Sequence, residues 1–378
     1  MTKPKPHQLS EAELISWIRL TRTTNVSRST FFNLLNIFND VKTAIENVEE
    51  FSVKGGLKKP IKPLSEAAAI QELEATRNFG ANIIGFPEEA YPKMLREISD
   101  PPPILTIKGN YHFLNQDIIA VVGPRNASFN GCKFARRIAE ELGKNDIVIA
   151  SGLARGIDTA AHQASLLTGT VAVIAGGINN IYPPENTNLY NQIGSQGVIV
   201  SELPFGVAPR GGNFPQRNRI ISGISLGVVI IEATLKSGTL ITARFALEQN
   251  REIFAVPGSP LDPRHEGTNR LIKQGAKMLE NVGDILNEIQ HIRKNSKALL
   301  QFFEPESPEF TCFASKLPNN EDIDRARNLI LNKLNFTEIT NDEIINELEI
   351  PTRIVNIALV QLELADRIQN KNGKISLK

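Results

Sequence analysis

Two cysteines stand in 378 residues, Cys132 and Cys312, far apart and with no metal-ligand spacing around them. That argues against a disulfide framework and against a zinc module, and it fits a cytoplasmic chain whose thiols stay reduced. The longest apolar runs reach about six to eight residues, too short to span a bilayer, so no membrane partner is expected. Met1 to Ser10 is polar and rich in proline, without the apolar centre of a signal peptide. One tryptophan, Trp17, and 6% aromatics argue against a surface built mainly of stacked rings. Five histidines leave few general bases. An excess of one charge is lacking too. Lys and Arg number 42 against 41 Asp and Glu, net +1, where a nucleic-acid partner usually leaves a basic footprint.

What is present is enough for real cores: 41% of the residues are hydrophobic and 22% charged. A chain of 378 residues is too long for one ordinary core and implies two or three domains. Residues 1–75 read as a helical domain. Ser10 with Glu13 makes a capping box, Leu14, Ile15 and Ile18 recur at helical spacing, and Thr30 to Phe38 repeats the pattern. Pro60 and Pro63 then punctuate the chain. Residues 298–320, with Pro305, Pro308 and Pro318 and no clear period, read as a linker. Residues 321–378 are expected to form three helices (323–334, 342–348 and 352–365) and a hairpin turning at Asn372-Gly373, the outline of a winged helix.

The central zone, 80–297, alternates short apolar runs with amphipathic stretches. The runs Ile118 to Val122, Ile147 to Ala150, Val171 to Ala175, Val198 to Val200, Val228 to Ile231 and Ile253 to Val256 are continuous and β-branched. That composition suits strands buried on both faces of a parallel sheet. With amphipathic stretches such as 132–142 and 157–167 between them, the pattern is that of a doubly wound α/β domain.

Most of these runs end in small-residue turns. Gly123 to Ser128 follows Val122, Ser151 to Gly156 follows Ala150, Gly176-Gly177 follows Ala175, Lys236-Ser237-Gly238-Thr239 follows Glu232-Ala233, and Pro257-Gly258-Ser259 follows Val256. In a doubly wound sheet such turns gather at one edge. There glycine lets backbone approach a ligand, and helix N-termini favour phosphate. A single glycine turn is also the ordinary strand-to-helix corner, and Arg125 and Arg155 have salt bridges to sheet-edge carboxylates as a bland alternative. Neither the Gly-x-Gly-x-x-Gly of a dinucleotide site nor the Gly-x-x-x-x-Gly-Lys-Ser/Thr of a P-loop occurs. The crevice therefore favours phosphate without the marks of NAD or ATP, and no cofactor is expected.

The densest stretch is Asn213 to Gly223. Pro215 suits a first helical turn, Arg217 and Ile221 share a face, and Arg219 points elsewhere. The arginines offer charge to phosphates and planes to bases, and Phe214 offers a base platform. Equally, Phe214 could pack into a core and the arginines could solvate a helix. His162, among Ala160, Ala161 and Ala164, reads as a packing histidine, with Asp158 one turn away to orient it or to cap the helix. There is no Gly-x-Ser-x-Gly elbow and no acid pair for a metal. The zone reads as a binding module rather than an enzyme.

Taken together these motifs resemble those of the bacterial DNA-processing family DprA, also called Smf. The matching text is Val121 to Arg125, Ser151 to His162, Gly176-Gly177, Tyr182 to Asn186, Ser201-Glu202, Phe214 to Gly223, Glu232-Ala233, Lys236 to Thr239, Ala255 to Gly258 and Gly267 to Asn269, in order. The resemblance implies an extended Rossmann-like domain, with an N-terminal SAM-like or helix-hairpin-helix-like domain and a C-terminal winged helix. It implies single-stranded DNA binding in natural transformation, protection of incoming strands, help in loading RecA recombinase, and a homodimer through the Rossmann-like domain. On this resemblance Gly123 and Arg125 hold a phosphate, Arg217 and Asn218 lie beside them, and Phe214 contacts a base. Ser128, Gly152, Arg155, Arg219, Lys236 and Ser237 complete the expected strand-binding set. The family has Ser or Thr where this chain has Pro124, which removes a hydroxyl and an N–H and leaves that turn to lean on Arg125 and Ser128. Arg125 and Arg217 are expected to be removable without harm to the fold.

A second family of this fold, the cytokinin-activating nucleotide phosphoribohydrolases, has a signature resembling Pro-Gly-Gly-x-Gly-Thr-x-x-Glu. The corresponding stretch here is Lys236 to Thr242, with Thr242 at the catalytic carboxylate's position, which counts against hydrolysis. Charge also divides by zone. Residues 76–299 carry a net +4, which supplies the positive groove that single strands require. Residues 300–378 carry a net −4, with Arg353 set against Glu363 and Asp366 on the expected third helix. The winged helix is therefore expected to contact protein, or to shield the basic groove, rather than to read duplex DNA.

Overall fold

The cap expected at Ser10 starts the first helix. The Ser10 hydroxyl accepts from the Glu13 N–H, and the Glu13 carboxylate accepts from the Ser10 N–H at 2.8 Å. A computed structural model describes residues 8–302, 318–334, 337–371 and 374–378. Cys312 and the Asn372-Gly373 turn lie outside the described residues. The N-terminal zone holds α1 (Glu11–Thr21), α2 (Arg28–Phe38), α3 (Val41–Lys54) and α4 (Glu66–Asn78). Trp17 and Phe31 pack with ring centroids 4.9 Å apart, and Phe38 and Phe51 lie at 5.2 Å.

The central zone runs β1 (Asn82–Gly85), α5 (Lys93–Arg96), β2 (Ile104–Gly109), β3 (Ile118–Val122), α6 (Phe129–Gly143), β4 (Val148–Ser151), α7 (Ile157–Ser165), β5 (Thr170–Val173), α8 (Thr187–Gln196), β6 (Val198–Ser201), α9 (Asn213–Gly223), β7 (Gly227–Ile230), α10 (Thr239–Glu248), β8 (Glu252–Ala255), α11 (Glu266–Lys273), β9 (Lys277–Met278) and α12 (Val282–Phe302). Each run expected as a strand is one, within a residue or two at its ends. Helix α12 extends into the stretch expected to be linker. The sheet has nine strands in the order β1-β2-β6-β5-β4-β3-β7-β8-β9. Strand β2 runs antiparallel to β6, whereas the pairs from β6 through to β9 are parallel.

Ile119, Val121, Ile149, Val229 and Ile231 share one core cluster with Ile138, Leu142, Ile157, Ile285 and Ile289. A second cluster joins Ala172 and Ile199 to Leu189, Tyr190 and Ile193. Coverage of this kind is why the strands read as unbroken β-branched runs, each fully buried side chain contributing about 1.5–3 kcal/mol. From β3 the chain steps through β4, β5 and β6 on one side and then returns to β7 on the other. The order therefore reverses between β3 and β7, where an open α/β sheet leaves a crevice at its carboxyl edge.

The C-terminal zone runs α13 (Asn320–Lys333), β10 (Ile339–Thr340), α14 (Asn341–Leu348), α15 (Thr352–Leu364), β11 (Ile368–Lys371) and β12 (Lys374–Leu377), with a three-stranded sheet in the order β10-β12-β11. This is the expected winged-helix order. One feature departs from the sequence reading: the two outer zones are not separate bodies. Among the described residues, those of 8–74, 99–104 and 318–378 form one compact unit, distinct from the unit that holds most of the nine-stranded sheet. Within it α15 packs against α13 and also against α2 and α3.

Candidate functional site

A cavity of about 450 Å³ lies at the β3/β7 reversal. Its walls come from four segments: the turn after β3 (Gly123 to Asn126), the start of α7, the face of α9 that carries Phe214, Arg217, Asn218 and Ile221, and the start of α10 with Ser237, Gly238 and Thr239. A narrower slot adjoins it, lined by Gly152, Arg155, Tyr182 and, again, Arg125, Phe214 and Arg217.

Tight crossings hold these turns in place. Gly156 has φ +77°, and a Cβ there would sit 2.7 Å from the Arg125 carbonyl oxygen, so the β3 turn rides on the first residue before α7. A Cβ on Gly123 would come within 2.9 Å of the Ile157 Cβ. That glycine thus serves helix packing as well as access to the cavity. Pro124 keeps its carbonyl against Gly156 but offers no N–H.

Arg217 is 7% exposed, and its Nη1 donates to the carbonyls of Gly152 and Val173 at the ends of β4 and β5. Its Nε is buried without a hydrogen-bond partner. Burial pulls the guanidinium down to about 10, with the charge of Asp158 opposing that and the charge of Arg125 adding to it. Burial raises the Asp158 carboxyl, against the pull of Arg217. Asp158 Oδ2 accepts from the N–H groups of Gly152 and Ala154 at 3.1 and 3.2 Å. The turn after β4 is thus filled by the protein's own carboxylate, so the Gly152 N–H is not free for a ligand. Asp158 thus holds the turn before α7, a role distinct from both of those expected, orienting His162 or capping the helix. His162 instead accepts from the Leu153 N–H at 3.3 Å and pairs with Thr170 Oγ1 at 2.7 Å. Fully buried, it is pushed down to about 3 by desolvation and by Arg217.

Arg125 is exposed, and its guanidinium lies 4.8 Å from the centroid of the half-buried Phe214 ring. Tyr182 also lines the slot, its ring centroid 5.7 Å from that of Phe214. Phe214 is therefore neither wholly in a core nor bare. Ser237 lines the cavity, and its hydroxyl donates to Thr239 Oγ1 at 2.9 Å.

The structure does not bring every expected residue to the cavity. Ser128 donates both its N–H and its hydroxyl to the buried Glu232 and caps α6 by accepting from the Gly131 N–H, so it is committed to the fold. Arg219, on the opposite face of α9 from Arg217, is 2% exposed and paired with Glu202. Lys236 is exposed outside the lining, and Arg155 stands at the rim of the slot with Glu185 at 3.4 Å. An exposed pair of that kind is worth little. Asn126, Tyr182, Thr239 and Thr242 also line the site, although the sequence motifs did not mark them as contacts. The signal for Tyr182 was its place in the Tyr182 to Asn186 motif. Among the described residues no group of three His, Cys, Asp or Glu side chains could hold a metal ion, and no helix is long and apolar enough to cross a membrane.

Comparison with known proteins gives the same outline. The family model for DNA recombination-mediator protein A matches residues 82–290, that for a DprA-like N-terminal HHH domain residues 11–75, and that for a DprA winged helix domain residues 314–374. DNA processing protein DprA of Streptococcus pneumoniae is 43% identical over 205 residues, 54% of this chain and 72% of that protein. Its Bacillus subtilis counterpart is 43% identical over 220 residues, 57% and 74%. The X-ray structure of the S. pneumoniae protein aligns with a TM-score of 0.61 and 34% identity, over 75% of this chain and 99% of that one. DNA processing protein A of Helicobacter pylori, whose structure concerns its single-stranded DNA binding mode, aligns with a TM-score of 0.52 and 30% identity, over 56% of this chain and 96% of that one. On the strength of that central match and of the strand order and turns that underlie it, the chain belongs to the DNA recombination-mediator protein A family, DprA.

Proposed function

We propose that this chain binds single-stranded DNA along the carboxyl edge of its central sheet, as a non-catalytic DNA-processing protein of natural transformation. In this reading it protects incoming strands as a homodimer in the cytoplasm and helps to load RecA onto them. The observation that carries the reading is the roomy cavity at the β3/β7 reversal. It has an exposed arginine, Arg125, a buried one, Arg217, and the accessible ring of Phe214 within one lining. In this reading Gly123, Arg125, Asn218 and Ser237, which line the cavity, hold phosphate, and Arg217 supplies fixed charge from behind. In the same reading Phe214, with Tyr182 beside it, contacts a base. Stacking of this kind tolerates any sequence, because every base has a π-face.

The test is fluorescence anisotropy with oligo-dT against a duplex of the same length, across salt. Preference for the single strand and a steep salt dependence are expected; equal affinity for the duplex would overturn the reading. RecA loading is tested by strand exchange on strands already coated by a single-strand binding protein, with and without this chain. The second reading, a phosphoribohydrolase, draws on the same cavity but has Thr242 where that reaction keeps a carboxylate. Release of base from nucleoside monophosphates would favour it.

A further inference from the structure

In a helix-turn-helix the second helix is the one laid in the DNA groove. Here that helix is α15, which comes after α14 and a turn with Glu349 in the left-handed region. From Ile357 to Leu364 every residue of α15 is buried. A stretch of helix closed off on all sides has a second covering partner besides its own domain, whereas the start of α15 stays exposed. That partner is the N-terminal helices α2 and α3.

The contact is built closely. Gly55, the C-cap of α3, lies so near α15 that a Cβ on it would overlap the carbonyl oxygen of Gln361 and approach the Ala365 Cβ to 2.8 Å. Its φ of −70° suits any residue, so what requires glycine there is the closeness of α15. Thr30 of α2 donates its hydroxyl to the buried Glu363 carboxylate at 2.8 Å. The Asn25 side-chain amide donates to the Leu364 carbonyl at 3.1 Å. These two hydrogen bonds cross an apolar seam and give the Glu363 carboxylate and the Leu364 carbonyl donors from the N-terminal zone.

We infer that α15 serves as the docking surface for the N-terminal helices of the same chain, so that the winged helix acts as an intramolecular clasp and not as a groove reader. The net −4 of residues 300–378 agrees, since a helix entering a groove must meet phosphates on both flanks.

The experiment uses the full chain. Gly55→Leu is expected to loosen the seam. In hydrogen exchange the amides of α2, α3 and α15 lose protection together, while β3 to β8 keep theirs and single-strand binding is retained. Unchanged exchange, or loosening of α3 with α15 still protected, would overturn the inference. A second variant guards against a folding defect in the first. Arg353 lies exposed in the first turn of α15, where a reading helix touches bases. Arg353→Ala is expected to leave duplex affinity within about twofold of wild type, whereas a loss of about tenfold or more would place α15 on DNA and refute the clasp.

Discussion

Replacing Arg217 by alanine should unfold the central unit more easily as well as weaken binding, which separates it sharply from Arg125. Arg217 is 7% exposed, and its guanidinium bonds two carbonyls at the sheet edge and feels the charge of the buried Asp158. Removing a buried charge on which two carbonyls and a nearby carboxylate depend costs about 3–5 kcal/mol, because those groups are left without compensation. Water entering from the 450 Å³ cavity can relieve part of that, so the lower end, about 3 kcal/mol, is the expected loss. Asp158→Asn in the Arg217→Ala background should restore some of it by discharging the stranded carboxylate, a coupling that a double-mutant cycle reads directly. Two probes track a urea titration. Far-UV ellipticity reports both units, and the fluorescence of Trp17, the sole tryptophan, reports only the outer one. The ellipticity midpoint should fall while the Trp17 midpoint stays. An unchanged ellipticity midpoint, or no recovery in the double variant, would refute the assignment of Arg217 to the core.

Arg125→Ala should leave both midpoints in place and lower the salt slope of single-strand binding by about one, as measured by anisotropy across salt. Phe214→Ala should weaken single-strand binding by about 1–3 kcal/mol with little change in that slope, since a stacking contact and not a phosphate contact is lost. His162 gives a pH dependence whose sign is fixed. The folded-state value is about 3, below the ordinary value of 6.5, so the unfolded chain takes up a proton that the folded one refuses. Stability from this group is fully present above the ordinary value and is lost as the pH falls from there towards about 3, at up to about 1.4 kcal/mol per pH unit. Denaturation at graded pH should show that slope flattened in a His162→Gln variant.

The strands of the central sheet were legible because each is buried on both faces and therefore written as an unbroken β-branched run. Strand β2 was less so. Its Ile104 to Ile107 stretch is mostly apolar and β-branched, but it comes straight after Pro101-Pro102-Pro103 and ends in Lys108-Gly109, so the run is short, and its antiparallel pairing with β6 is set only by the fold. The split of α9 into an Arg217 face and an Arg219 face followed from helical spacing, but the burial of both faces did not. Glu202 and the carbonyl of Val173, the partners that bury them, reach α9 only through the fold. Ser128 departs from its expected role for the same reason, its acceptor Glu232 lying 104 residues away. The apolar residues all round α15 were on view in the sequence. What they pack against was not, because the covering helices stand at the opposite end of the chain.

The pairing of Thr30 with Glu363 spans 333 residues. A ribosome adding roughly 5–20 residues per second takes about twenty to seventy seconds to travel that interval. Throughout it the seam faces of α2 and α3 have no α15 to cover them, while the central sheet between them has time to form. The outer unit is thus the last to close although it contains the first helices made. A chain that stops short of α15 leaves an apolar face bare on its N-terminal helices. Such a product should be prone to aggregation and open to chaperones, even with an intact central crevice.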